Sequence, residues 1–148
     1  MKRHPGLVAL SDDHHHELVQ ARLLLRAGEA PADERLRVAS AYTDAFFSDT
    51  VEHFRREEED VLPLYARRPG ADHDLLERVL REHMELHGLA RALRAEVAAG
   101  DVSGETLAEL GSLLREHVRL EERELFEDVQ RVVPGAELDA LALRAARG

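Results

Sequence analysis

Cysteine is absent from the 148 residues. That excludes disulfides, thiolate metal sites, iron–sulfur clusters and cysteine nucleophiles, and it leaves no redox compartment to be read from cysteine usage. Aromatic residues make up only 4% of the chain. With Leu, Ala, Arg, Glu and Val dominant, the composition favours helices over sheets. Basic residues are outnumbered, with 20 Lys and Arg against 30 Asp and Glu, giving a formal charge of −10 and a pI near 5.3. Binding to phosphates needs a basic face, and an acidic surface repels anionic lipid. Neither nucleic acid nor a membrane is therefore an expected partner. Long apolar runs are lacking too. Charges interrupt every apolar stretch, and the start Met1-Lys2-Arg3-His4-Pro5 carries no run long enough for a signal peptide. The expectation is a soluble, cytoplasmic protein with one domain over residues 1–148.

Histidine, by contrast, is abundant, at nine residues. His14-His15-His16 is a short tract and the others are dispersed. Gly and Pro clusters at residues 28–33, 68–72, 100–104 and 134–135 punctuate the chain and leave four long stretches with helical periodicity between them. These run over about residues 7–27, 34–66, 72–99 and 103–133, with a short fifth helix at 136–147 packing across one end or fraying. The core-facing stripes read Leu7, Leu10, His14, Leu18, Ala21, Leu25; Ala39, Thr43, Phe46, Thr50, His53, Glu57, Val61, Leu64; Leu76, Leu80, His83, His87, Ala90; and Leu107, Leu110, Leu114, His117, Glu121, Leu125. Asp72 and Ser103 are candidate N-caps. Pro63 should kink the second helix rather than end it. Short links between long amphipathic helices predict an all-α, antiparallel up-down-up-down four-helix bundle.

Polar residues stand in the middle of all four apolar stripes. Residues four apart share a helix face one turn apart. His53 with Glu57, His83 with His87 and His117 with Glu121 are thus stacked pairs aimed at the core, joined by His14 from the first helix. Each pair lies about a dozen to fifteen residues from the turns that connect it to its neighbours, which at about 1.5 Å per residue puts the pairs in one layer. Five histidines and two carboxylates so placed are hard to justify without a metal. Each unpaired buried polar or charged group costs several kcal/mol against a total stability of about 5–15 kcal/mol. Imidazole and carboxylate together suit first-row ions such as iron, manganese or zinc. Seven ligands suit two ions, with Glu57 and Glu121 bridging. His15 rivals His14, and Glu122 rivals Glu121. Glu58 and Glu122 are otherwise expected as outer partners or exposed residues, while His4 and His73 begin helices at the surface. A zinc-protease helix is excluded because in His83-Met84-Glu85-Leu86-His87 the glutamate points away from the histidines. The Glu-x-x-His pairs of ferritin-like di-iron proteins are absent.

The ordered set Leu10-Ser11-Asp12-Asp13-His14, His53-x-x-x-Glu57, His83-x-x-x-His87 and His117-x-x-x-Glu121 resembles the hemerythrin-like family, or HHE cation-binding domain, from Leu10 to about Val129. The resemblance implies two non-haem iron ions, oxo- or hydroxo-bridged, with manganese or zinc as alternatives. One ion would take His83, His87 and His117 and the other His14 and His53, with Glu57 and Glu121 bridging and one coordination position open. In oxygen-carrying members the last carboxylate stands five residues after its histidine, the place of Glu122 here. The implied function is binding or sensing of dioxygen, nitric oxide or peroxide. The alternatives are iron storage or donation, repair of iron centres, and a di-iron redox enzyme such as a peroxidase. No separate acid, base or specificity motif marks an enzyme. A metal-free phosphotransfer bundle fits poorly, because it needs one exposed histidine.

Overall fold

Helix α1, Pro5–Ala27, starts at His4, whose backbone is extended and whose Nδ1 accepts the Gly6 N–H at 2.9 Å, with Pro5 in the first turn. The computed structural model describes residues 1–147. Helix α2 occupies residues 32–66, α3 spans His73–Ala99, α4 occupies residues 104–132 and α5 spans Gly135–Arg147. Both expected caps are present. The Asp72 carboxylate accepts the Leu75 N–H at 3.0 Å, and the Ser103 hydroxyl oxygen accepts the Glu105 N–H at 3.1 Å. Gly100 ends α3 in the left-handed conformation at φ 71°, which only glycine enters without penalty.

The four long helices form an antiparallel bundle in which α1 packs on α2, α2 on α3, α3 on α4, and α4 back on α1. Helix α5 lies along α1, burying Leu138 and Leu141. The α1–α4 crossing is close. A side chain at Gly111 would meet Leu25 Cγ at 2.9 Å and the Ala21 carbonyl oxygen at 3.0 Å. Among the described residues there is no strand, and no helix is long and apolar enough to cross a membrane.

Helices α2 and α4 are not uniform. Three π-helical turns interrupt them, at Phe46–Thr50, Glu57–Val61 and Glu121–Leu125. Pro63, which has no N–H, comes after the second. There the Leu62 N–H reaches back five residues to the Glu57 carbonyl. Each extra residue rotates the part of the helix beyond it. The expected stripe through Leu64 moves accordingly, and Leu62 and Tyr65 are buried instead.

Rotation also corrects the stripe on α3. Val79, His83, Leu86 and Ala90 face the core, while Leu80 is 38% exposed. His87 lies two turns from Leu80, on the same flank. On α1 the buried line passes through Glu17 and Leu24, leaving Leu18 and Leu25 only half-buried.

The buried apolar residues fall into two clusters. One contains Ala21, Leu24, Phe46, Phe54, Leu86 and Leu114, and the other Leu7, Leu10, Val61, Val79, Leu125 and Phe126. Along every long helix the two are separated by the same band of buried polar residues: His14 and Glu17, His53 and Glu57, Glu82 and His83, His117 and Glu121. The layer predicted from helix rise is this band.

Candidate metal centre

Four helices deliver one inward imidazole each. His14, His53, His83 and His117 are 0–2% exposed, and Glu57 and Glu121 are fully buried between them. The donor atoms form two groups that share both carboxylates: His14, His53, Glu57 and Glu121; and His83, His117, Glu57 and Glu121. His14 Nε2 lies 3.2 Å from Glu121 Oε1 and 3.6 Å from Glu57 Oε2. Its distance to His53 Nε2 is 3.1 Å. On the other side His83 Nε2 is 3.3 Å from Glu57 Oε1, and His117 Nε2 is 2.8 Å from Glu121 Oε1.

Every one of these rings is held from behind by a carboxylate. The Nδ1–H of His14 donates to Glu122 at 2.7 Å and that of His53 to Asp13 at 3.0 Å; His83 donates to Glu58 at 2.8 Å and His117 to Glu82 at 2.9 Å. Placing the proton on Nδ1 turns the Nε2 lone pair inward, the arrangement that orients metal-binding imidazoles. Arginines anchor three of the carboxylates: Arg3 at Glu122, Arg56 at Asp13 and Arg78 at Glu82.

The inner atoms are conspicuous for what they lack. Both Glu57 oxygens, Glu121 Oε2, His83 Nε2 and His117 Nε2 are buried without a hydrogen bond. Buried polar atoms are ordinarily paired, and lone-pair donors converging from four helices are what a cation requires. The residues therefore fit the metal that the composition of the layer implies.

The charges agree. Burial alone would lower each histidine, but the surrounding carboxylates outweigh it. His14 is held well above the ordinary range by Glu121, Glu122 and Glu57, and His53 is raised to about 10, His83 to about 11 and His117 to about 9. Burial and the neighbouring Glu121 would raise Glu57, yet the histidines bring it down to about 2, and Glu121 sits well below the carboxylate range for the same reason. Positive charge at the centre is stabilised whether protons or metal ions supply it.

Six of the seven candidate ligands named from the sequence thus meet, and their two rivals lie outside the group. His15 is exposed, and Glu122 serves as the outer partner of His14. His87 does not join them. It is half-buried on the α3 flank, its ring 5.4 Å from Phe46 and 5.7 Å from Phe54. Phe54 stacks on His83 at 4.0 Å and fills the space between. Burial lowers the His87 pKa, with no inner carboxylate to reverse it.

Sequence reasoning missed Asp13, Glu82 and Glu17. The first two immediately precede His14 and His83 but support histidines on neighbouring helices, which no local spacing reveals. Glu17 carried a signal, since it stands three residues after His14 on the same face. It is 4% exposed, one oxygen has no hydrogen-bond partner, and the other is 3.9 Å from His53 Nε2.

The family model described as the hemerythrin HHE cation binding domain matches residues 6–129. No curated protein and no solved structure gives a match.

Proposed function

The chain belongs to the hemerythrin HHE cation-binding family, and on that premise we propose that its buried layer holds two iron ions that bind or sense a small ligand such as dioxygen, nitric oxide or peroxide. The observation that carries this reading is the pair of donor groups sharing Glu57 and Glu121, each completed by two histidines whose Nε2 atoms face inward. His14 and His53 would hold one ion, His83 and His117 the other, and the two glutamates would bridge. Bound iron would supply a coordination position for the ligand and electrons where the ligand is reduced.

The chain's own residues set the conditions. Asp13, Glu58, Glu82 and Glu122 keep the protons on Nδ1 and the rings oriented. The two apolar clusters above and below the layer keep bulk water from the ligands, which favours reversible binding over turnover. Iron as labile cargo is the second reading. The near-complete burial of all six ligands speaks for a resident ion instead.

Metal content by elemental analysis, paired with visible spectra of aerobic and anaerobic samples, tests the proposal. About two irons per chain, with charge-transfer bands that respond to dioxygen, nitric oxide or peroxide, is the expected result. His117→Ala should lose at least one ion, whereas His87→Ala should keep both. A folded protein that takes up no iron even after anaerobic ferrous loading would refute the reading, and spectra indifferent to all three ligands would favour the cargo function.

A further inference from the structure

The metal layer has an internal two-fold pattern. Asp13-His14, His53 and Glu57-Glu58 on α1 and α2 correspond to Glu82-His83, His117 and Glu121-Glu122 on α3 and α4. The correspondence extends to the hydrogen bonds. Asp13 supports His53 as Glu82 supports His117, and Glu122 supports His14 as Glu58 supports His83. A complete pattern would give two equivalent ion positions.

One position breaks it. Three residues beyond His14 stands Glu17, and three residues beyond His83 stands Leu86. Both side chains are buried, Glu17 at 4% exposure and Leu86 at 0%. At this place one half of the pattern has a buried carboxylate and the other a buried hydrocarbon.

Glu17 has no satisfactory partner within the protein. Its Oε2 is buried without a hydrogen bond, and its Oε1 lies 3.9 Å from His53 Nε2, beyond hydrogen-bond distance. Tyr42, which packs nearby and whose ionisation Glu17 opposes, also leaves its hydroxyl unpaired. An unpaired buried carboxylate costs several kcal/mol in either protonation state, because the neutral form leaves its own O–H without an acceptor. A cation on the His14/His53 side would remove that cost. Two divalent ions bring four positive charges against two from Glu57 and Glu121, so a third carboxylate also reduces the net charge buried in the layer.

Resting on the metal-centre reading above, we propose that Glu17 is a terminal ligand of the ion held by His14 and His53, and that it makes the two ion positions inequivalent. The first position is then filled by two histidines and three carboxylates. The second, with Phe54 stacked on His83 and Leu86 in the place of Glu17, has two histidines and the bridging carboxylates alone and keeps the open position. The exogenous ligand would accordingly bind on the His83/His117 side, against an apolar wall.

Cobalt(II) is a suitable probe, since its ligand-field bands report coordination number. The metal-free protein would be titrated anaerobically, comparing wild type with Glu17→Gln and Glu17→Ala. Wild type should bind two ions with distinct spectra. The variants should weaken one of them at least tenfold and shift its bands toward those of the other, with helical circular dichroism unchanged. Two ions bound with wild-type affinity and spectra in both variants would overturn the assignment of Glu17 while leaving the metal centre intact. No cobalt or iron bound to wild type would instead remove the metal centre itself, and Glu17 with it. A structure of the cobalt-loaded wild type decides independently of any variant's folding. A Glu17 oxygen within about 2.2 Å of an ion sustains the proposal, and one beyond about 3 Å ends it.

Discussion

Glu82→Ala should weaken metal binding by about 10- to 100-fold, or about 1.4–2.7 kcal/mol, although Glu82 touches no metal. Glu82 is the Nδ1 partner of His117, at 2.9 Å, and is itself tied to Arg78 at 3.2 Å. His117 is fully buried and the Glu82 side chain only 11% exposed, so water replaces this bond less readily than it would at an exposed carboxylate. Removing the carboxylate strands a buried N–H, at a cost of about 1–3 kcal/mol, and frees the ring to turn its lone pair from the site. Glu58, the partner of His83, has a side chain 42% exposed, and water can replace it, so Glu58→Ala should fall at or below the tenfold end. Glu82→Gln keeps an acceptor without the charge and should lie between wild type and alanine. The assay is anaerobic competition for cobalt(II) against a chromophoric chelator at pH 7 and again at pH 9. The second pH controls for a compensating effect, because loss of Glu82 also weakens the hold of His117 on its competing proton. Affinity of Glu82→Ala within twofold of wild type at both pH values would refute the argument that the outer carboxylates position the ligands.

Two predictions concern the protein without its metal. Gly111→Ala inserts a methyl where Leu25 Cγ and the Ala21 carbonyl already crowd the α1–α4 crossing, and should cost about 1–3 kcal/mol, or about 2–12 °C in Tm. Gly88→Ala, on open helix surface, should instead raise Tm slightly; equal effects at the two positions would contradict the packing described. In pH profiles of Tm, Glu57 and Glu122 are depressed from 4.5 to about 2, so their stabilisation is complete above about pH 4.5 and lost as pH falls toward 2. His117, His53 and His83 are raised from 6.5 to about 9, 10 and 11, so theirs is complete below about pH 6.5 and lost as pH rises through those values. The metal-free protein should therefore be most stable between these limits, while iron loading, which takes the place of the protons, should restore the alkaline side. A metal-free profile that is flat from pH 5 to 9 would contradict the coupling.

The identity of the bundle was legible because it is written in short-range periodicity. His53 with Glu57 and His117 with Glu121 are one turn apart on any α-helix, and helix rise sets them level with His83, whereas the level of His14 on the first helix was fixed by spacing only loosely. The N-caps at Asp72 and Ser103 were readable for the same reason, since a cap is satisfied within three residues. Local spacing fixes a helix face only to within a residue or so, however, and His87 shows what that leaves out. It shares a periodic stripe with His83, but packing of α3 turns Val79, His83 and Leu86 inward and puts Phe54 where His87 would have entered.

What the sequence by itself determined is the helical class, the level of the polar layer and most of the residues that meet in it, all properties of residues a few positions apart. Only the tertiary structure decided which carboxylate supports which histidine, for Asp13 reaches His53 and Glu82 reaches His117 across helices more than thirty residues apart in sequence. It alone showed the π-helical turns that begin at Glu57 and Glu121 and the burial of Glu17 opposite Leu86. These depend on how each helix is rotated about its axis when four amphipathic faces close on one another. That rotation is fixed by the fit of the whole core, which no single helix encodes.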